Sequence, residues 1–163
     1  MARIDSLVQE FLSQEKIAIV GVSDRRDTGC NGIYRKFKNS GYRTYAVNPR
    51  LTAFDGDPCY PNLQALPEKP DAVFVMANPA VTERVVDDCA ELGIRNIWMH
   101  CLMGTRAGLA PSITSVSPAA VEACHQHGIL VIPGSCPGQF LKPDFGHSAM
   151  RRLWRAFGFL NVN

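Results

Sequence analysis

Five short apolar runs alternate with helical patterns along the chain, and this alternation restricts the fold more than any single residue does. The runs are Ile17–Val20, Thr44–Val47, Ala72–Met76, Asn96–Met99 and Ile129–Ile132. Four of them are halted by turn chemistry: Gly21, Asn48-Pro49, Asn78-Pro79 and Pro133-Gly134. Helices are expected over about 31–39, 80–92 and 118–127, ended by Gly41, Gly93 and Gly128. The first buries Ile33, Tyr34 and Phe37; the second buries Val81, Val85, Cys89 and Leu92. A further amphipathic helix over residues 5–13 precedes the first strand. Short apolar strands separated by helices make a parallel sheet covered on both faces. Right-handed crossovers then give an α/β, Rossmann-like, doubly wound and mainly parallel five-stranded sheet. Residues 51–61, with Asp55-Gly56-Asp57-Pro58, read as loop.

With 163 residues the chain suits one domain with a sizeable core. A net charge of +2 does not call for a nucleic-acid or anionic-membrane partner. Met1–Lys16 lacks a signal-peptide core and no run is long enough to span a bilayer, so a cytoplasmic location is expected. The six cysteines form no Cys-x-x-Cys pair and are expected as reduced thiols. His100-Cys101 and Cys124-His125-Gln126-His127 match no metal-ligand spacing, and no metal is expected.

In a doubly wound sheet, ligands bind outside the carboxyl ends of the strands, where the strand order reverses. The residues that follow each strand are therefore the informative ones. After the first strand comes Gly21-Val22-Ser23-Asp24-Arg25-Arg26. The glycine permits a sharp turn, and the next helix N-terminus offers N–H groups to a phosphate. The second and third glycines of a dinucleotide fingerprint are out of register. After the second strand stands Asn48-Pro49-Arg50, with no acid for a ribose diol. A basic residue there suits an additional ribose phosphate, as in NADPH or coenzyme A.

The ordered set Ile19-Val20-Gly21-Val22-Ser23, Tyr45-Ala46-Val47-Asn48-Pro49-Arg50, Cys59-Tyr60-Pro61-Asn62-Leu63, Asn96-Ile97-Trp98-Met99-His100 and Cys136-Pro137-Gly138 resembles the small CoA-binding domain proteins. Those in turn are similar to the N-terminal CoA-binding domain of the succinyl-CoA synthetase α subunit. The resemblance covers roughly residues 5–139. It implies that Gly21, Val22, Ser23 and Arg25 hold the diphosphate region. Asn48, Pro49 and Arg50 would meet the adenosine and its 3′-phosphate. Met76, Ala77, Asn78 and Pro79 would form a wall for adenine or the start of pantetheine. His100 and Gly104 would lie near the pantetheine arm, with Trp98, which its strand position also fits to the core.

The resemblance thus implies residues 1–139 as a CoA-binding domain, with 140–163 a helical extension packed on it. Met150, Leu153, Trp154 and Phe157 fall at helical spacing, with Arg151, Arg152 and Arg155 opposite. The loop 102–117 is longer than family members have, and reads as a lid, an oligomer contact or an insertion. No ligase domain fits after the resemblance ends. The expected function is binding of coenzyme A or an acyl-CoA, as a carrier or sensor without catalysis of its own. Two alternatives stay open: an NADPH-dependent reductase with His100 as proton donor, and a protein-interaction module using the C-terminal basic-aromatic face. A homo-oligomer or protein partner stays open too. Cys136 sits at the ligand edge, as a structural thiol or as a nucleophile needing a nearby base such as His100 or His147.

Overall fold

The computed structural model describes residues 2–162; Met1 and Asn163, the outer ends of the two expected segments, lie outside the described residues. Helix α1 (Asp5–Leu12) leads into strand β2 (Lys16–Val20), and α2 (Gly29–Asn39) into β3 (Arg43–Val47). After β6 (Ala72–Val75) come α3 (Pro79–Leu92), β7 (Asn96–Met99), α4 (Pro118–Gln126) and β8 (Leu130–Pro133). The long helix α5 (Phe145–Ala156) follows a 3-10 turn at Pro137–Gln139. Strand β1 (Ala2–Arg3) pairs antiparallel with β9 (Asn161–Val162), drawing the two ends of the described chain together.

The main sheet has seven strands, not five. Residues 53–60, read from sequence as loop, form the antiparallel pair β4 (Ala53–Phe54) and β5 (Asp57–Tyr60). Asp55 and Gly56 both take positive φ, +50° and +82°, which closes a tight hairpin. β5 then runs parallel to β3, with Ala46 opposite Cys59 and Val47 opposite Tyr60. The turn signal was visible, but a two-residue strand and a strand carrying Pro58 show no apolar alternation. β4 is the edge strand, and Pro58 pairs only with its Ala53, while β5 meets β3 at Cys59 and Tyr60.

The strand order is β4-β5-β3-β2-β6-β7-β8, with β3, β2, β6, β7 and β8 all parallel. From β2 the chain steps outward to β3, then crosses back to β6 and proceeds to the other edge. The order therefore reverses between β2 and β6. Side-chain alternation along each strand builds two cores. Ile17 and Ile19, with Phe74, Trp98 and Ile132, join Val8 and Phe11 of α1 and Ile33, Tyr34 and Phe37 of α2. Ala18 and Val20, with Val73, Val75 and Ile97, join Val85, Val86 and Cys89 of α3 and Ala120 and Cys124 of α4.

α5 is held at several points. Trp154 Nε1 donates to the Leu102 carbonyl at 3.0 Å, and Arg151 and Arg155 both pair with Asp5 of α1. Arg151 also lies over the Phe140 ring, 4.4 Å from its centroid. These contacts fix where the start of α5 meets the sheet edge.

Candidate functional site

The carboxyl edge of the sheet opens into a cleft of about 900 Å³. Its floor is the segment after β6, Met76–Pro79, together with His100 after β7. One wall is a single face of α2: Gly29, Gly32, Ile33 and Lys36 recur at the helical spacing. The opposite wall is Pro111–Ser115 of the long loop. Cys136, Gly138, Asp144 and His147 close the far end. The N-termini of α2 and α3 converge here, capped by Thr28 and by Asn78, whose side chains accept from Asn31 N–H and Val81 N–H. The interior is mostly apolar, through Ile33, Met76, Ala77 and Ile113. Lys36 is its cation, with no ion pair among the described residues.

The loop after β2 is organised by a residue the sequence reading passed over. The buried Asn31 accepts from Ser23 N–H at 2.9 Å and donates through Nδ2 to Ser23 O at 2.8 Å. Ser23 Oγ in turn accepts from Arg25 N–H at 3.3 Å. Asn48 donates to the Val22 carbonyl at 2.7 Å and accepts from Arg50 N–H at 2.8 Å, an Asx turn that joins the loops after β2 and β3. Arg25, Arg26 and Arg50 of these two loops are exposed and form no ion pair among the described residues. A smaller polar hollow of about 340 Å³ lies beside Arg26, between Ser23 and Arg35.

The cleft therefore gathers Met76, Ala77, Asn78, Pro79 and His100. Ser23, Arg25, Asn48, Pro49 and Arg50 lie in the loops after β2 and β3, outside its lining. Val22 has a fully buried side chain, and Gly21 lies against Met76. Gly104 is packed against Phe159: a Cβ there would come within 2.1 Å of the Phe159 carbonyl oxygen. Trp98 is fully buried in the α1 face of the core, donating to the Gly134 carbonyl at 2.8 Å. Lys36, Ile113, Asp144 and His147 were not singled out as ligand contacts in sequence. Lys36 carried a signal in its place on the α2 face that begins at Gly29, and His147 as one of the two histidines open as a base for Cys136.

The long loop is tied at both ends. Ser115 N–H donates to His100 O at 2.8 Å and Ser115 Oγ accepts from Ala77 N–H at 3.0 Å. Thr105 donates through N–H and Oγ1 to the Phe159 carbonyl, at 2.7 and 3.0 Å. The stretch between presents Leu109 and Ile113 to solvent, 63% and 54% exposed.

His100 is 7% exposed, lies edge-on to Phe74, and has no side-chain hydrogen bond among the described residues. Burial pushes its pKa down to about 4. The ring is neutral in the fold, while in the unfolded chain it takes up a proton as pH falls below its ordinary value of 6.5. The folded state thus loses stability between pH 6.5 and 4, by about 3 kcal/mol at the lower end. Urea unfolding of wild type and His100→Gln across this window should show a steeper decline for wild type. Equal slopes would mean that the ring has a proton-stabilising partner.

A model of the CoA binding domain family matches residues 15–141. The chain belongs to the CoA binding domain family. It is 23% identical over 122 residues to acetate–CoA ligase [ADP-forming] I of Archaeoglobus fulgidus. That match covers 75% of this chain but 18% of the ligase, so the chain spans under a fifth of that relative's length. Among solved structures, a hypothetical protein from Pyrococcus horikoshii OT3 superposes with a TM-score of 0.72 at 22% identity, covering 85% of this chain and 92% of that one. The dinucleotide-forming acetyl-coenzyme A synthetase 1 of Ca. Korarchaeum cryptofilum, in its apo form, gives a TM-score of 0.58 at 23% identity, over 71% of this chain and 25% of that chain. These superpositions establish a shared fold: the CoA binding domain is an α/β, Rossmann-like sheet.

Proposed function

We propose that the carboxyl-edge cleft takes coenzyme A or an acyl-CoA, and that the domain serves as a carrier or sensor of it rather than turning substrate over. The observation that carries this reading is an apolar cleft holding one lysine, Lys36, at the point where strand order reverses. The pantetheine arm is an uncharged chain of amides and methylenes suited to the passage between Ile33, Met76 and Ile113. The phosphates suit the loops after β2 and β3, where Arg25, Arg26 and Arg50 are exposed and form no ion pairs among the described residues. Ser23 and Asn48 act by holding those loops, and Val22 and Gly104 act as packing. The family membership supports the choice of coenzyme A over NADPH. So does His100, which at neutral pH carries no extra proton to give to a hydride acceptor.

Calorimetric titration with coenzyme A, dephospho-CoA and NADPH tests the assignment. Arg50→Ala and removal of the 3′-phosphate should each weaken binding about tenfold, or about 1.4 kcal/mol. The two losses should not add, because they remove the same contact. Equal affinity for coenzyme A and dephospho-CoA would rule out Arg50 at the phosphate. Tighter binding of NADPH than of coenzyme A would overturn the ligand assignment.

A further inference from the structure

The far end of the cleft carries groups that coenzyme A binding alone does not require. His147 Nδ1 lies 2.7 Å from Asp144 Oδ2, and Asp144 also accepts from His147 N–H at 2.9 Å as the cap of α5. The carboxylate fixes the imidazole with Nδ1–H toward it and the Nε2 lone pair outward. His147 N–H and ring hold Asp144 below the usual carboxylate range, so it stays charged. Nε2 faces the turn after Cys136: a Cβ on Gly138 would meet it at 2.7 Å. Cys136 stands two residues before that glycine in the same turn. Gly138 thus lies against the base, and thiol and imidazole line the same end of one cleft. Burial raises the Cys136 thiol, against the pull of Gly138 N–H and the Lys36 ammonium, so the sulfur needs a base when it reacts. His100 is the independent sign of a ligand: a nine-tenths buried imidazole, without a hydrogen-bond partner among the described residues, lining the same cleft.

We propose that Cys136 is an acyl acceptor, served by the Asp144–His147 pair, so that the cleft carries an acyl group covalently after taking it from a bound thioester; this rests on the coenzyme A reading of the same cleft. In the forward step the Cys136 S–H proton passes to His147 Nε2 as the sulfur attacks the acyl carbon. The new C–S bond to Cys136 forms and the C–S bond to coenzyme A breaks. His147 then gives its proton to the departing thiolate, releasing free thiol. One thioester replaces another, so no oxidant, reductant or further reactant is needed and the step runs in both directions. His100, neutral at physiological pH, offers an N–H to the carbonyl oxygen as negative charge develops on it. Asp144 is a positioning residue, acting through His147.

The test uses wild-type protein incubated with acetyl-CoA and, separately, octanoyl-CoA, acid-quenched at intervals for intact-mass measurement, with released thiol counted in parallel. The expected result is a mass gain of one acyl group, mapped to Cys136, with equivalent release of coenzyme A. Cys136→Ala should show neither while keeping its circular dichroism. His147→Gln should slow acylation by about a hundred- to ten-thousand-fold. Asp144→Asn keeps a good helix cap. It should lower the maximal acylation rate without moving the half-saturating acyl-CoA concentration, which a merely structural role would not do. Wild type that binds coenzyme A by calorimetry but neither gains acyl mass nor releases thiol overturns the acyl transfer alone. So does an acyl group mapped to another cysteine. Absence of coenzyme A binding overturns the reading beneath it.

Discussion

Replacing Gly21 by alanine is expected to destabilise the domain by about 3 kcal/mol or more and to deform the cleft. Gly21 takes φ +116°, a conformation that residues with a Cβ rarely adopt. The added carbon would also sit 2.2 Å from the Met76 carbonyl oxygen and 3.0 Å from its carbonyl carbon. Both are backbone atoms, and they cannot give way alone. Met76 N–H is bonded to Val20 O at 2.9 Å, and Gly21 N–H to Val47 O at 3.2 Å, so three parallel strands meet here. Relief requires β2 and β6 to part at the place where Met76 becomes the cleft floor. Thermal unfolding should show a fall of roughly ten degrees for a domain of this size. Gly32→Ala is the contrast: no atom lies within 4 Å of its added carbon, and it sits inside α2. That variant should gain about 0.5–1 kcal/mol. Equal melting temperatures for Gly21→Ala and wild type would show that this strand junction is slack.

Trp98→Ala is expected to cost about 3–5 kcal/mol, the range for deleting a large aromatic from a packed core. The indole is fully buried, edge-on to Phe11 at 5.3 Å and to Phe140 at 5.8 Å between ring centroids. Its N–H donates to the Gly134 carbonyl at 2.8 Å. That bond bears on the site. Gly134 starts the turn that delivers Ser135 and Cys136, and Ser135 is itself held by Gly104 O, accepting from its N–H at 3.0 Å, and by Cys101 N–H, donating to its carbonyl at 3.2 Å. Trp98→Phe keeps most of the packing and leaves a buried carbonyl without its donor, which should cost about 1–3 kcal/mol. Denaturant unfolding measures both. If Trp98→Phe matches wild type in stability, the Gly134 carbonyl has found water, and the turn does not depend on the indole.

The sheet was readable because its rules are local. β-branched runs bounded by Gly21, Asn48-Pro49, Asn78-Pro79 and Pro133-Gly134 mark parallel strands, and helical periodicity marks α2, α3 and α4. The hairpin Ala53–Tyr60 was not readable, because β4 is a two-residue edge strand and β5 carries a proline. For the site, the floor residues Met76–Pro79 and His100 followed from topology alone: whatever follows a parallel strand reaches the carboxyl edge. Gly104 satisfies the same rule and is turned away, because its backbone packs on Phe159, 55 residues later in the chain. Asp144 and His147 follow no strand and belong to no motif. They reach the cleft because α5 is fastened to α1 by Asp5 and to Leu102 by Trp154.

By itself, the sequence determined the fold class, the carboxyl edge as the edge that carries the cleft, and membership of the CoA binding domain family. Each rests on short motifs repeated in order along the chain, within which turn preference and side-chain periodicity act over a few positions. Tertiary structure alone decided which of those residues face the cleft, that Asn31 and Asn48 lock the loops carrying Arg25, Arg26 and Arg50, and that His147 lies against Gly138 at the end of the cleft that Cys136 lines. These depend on distances between segments far apart in sequence. Such distances are set by how helices seat on a twisted sheet, a packing outcome that no local pattern encodes.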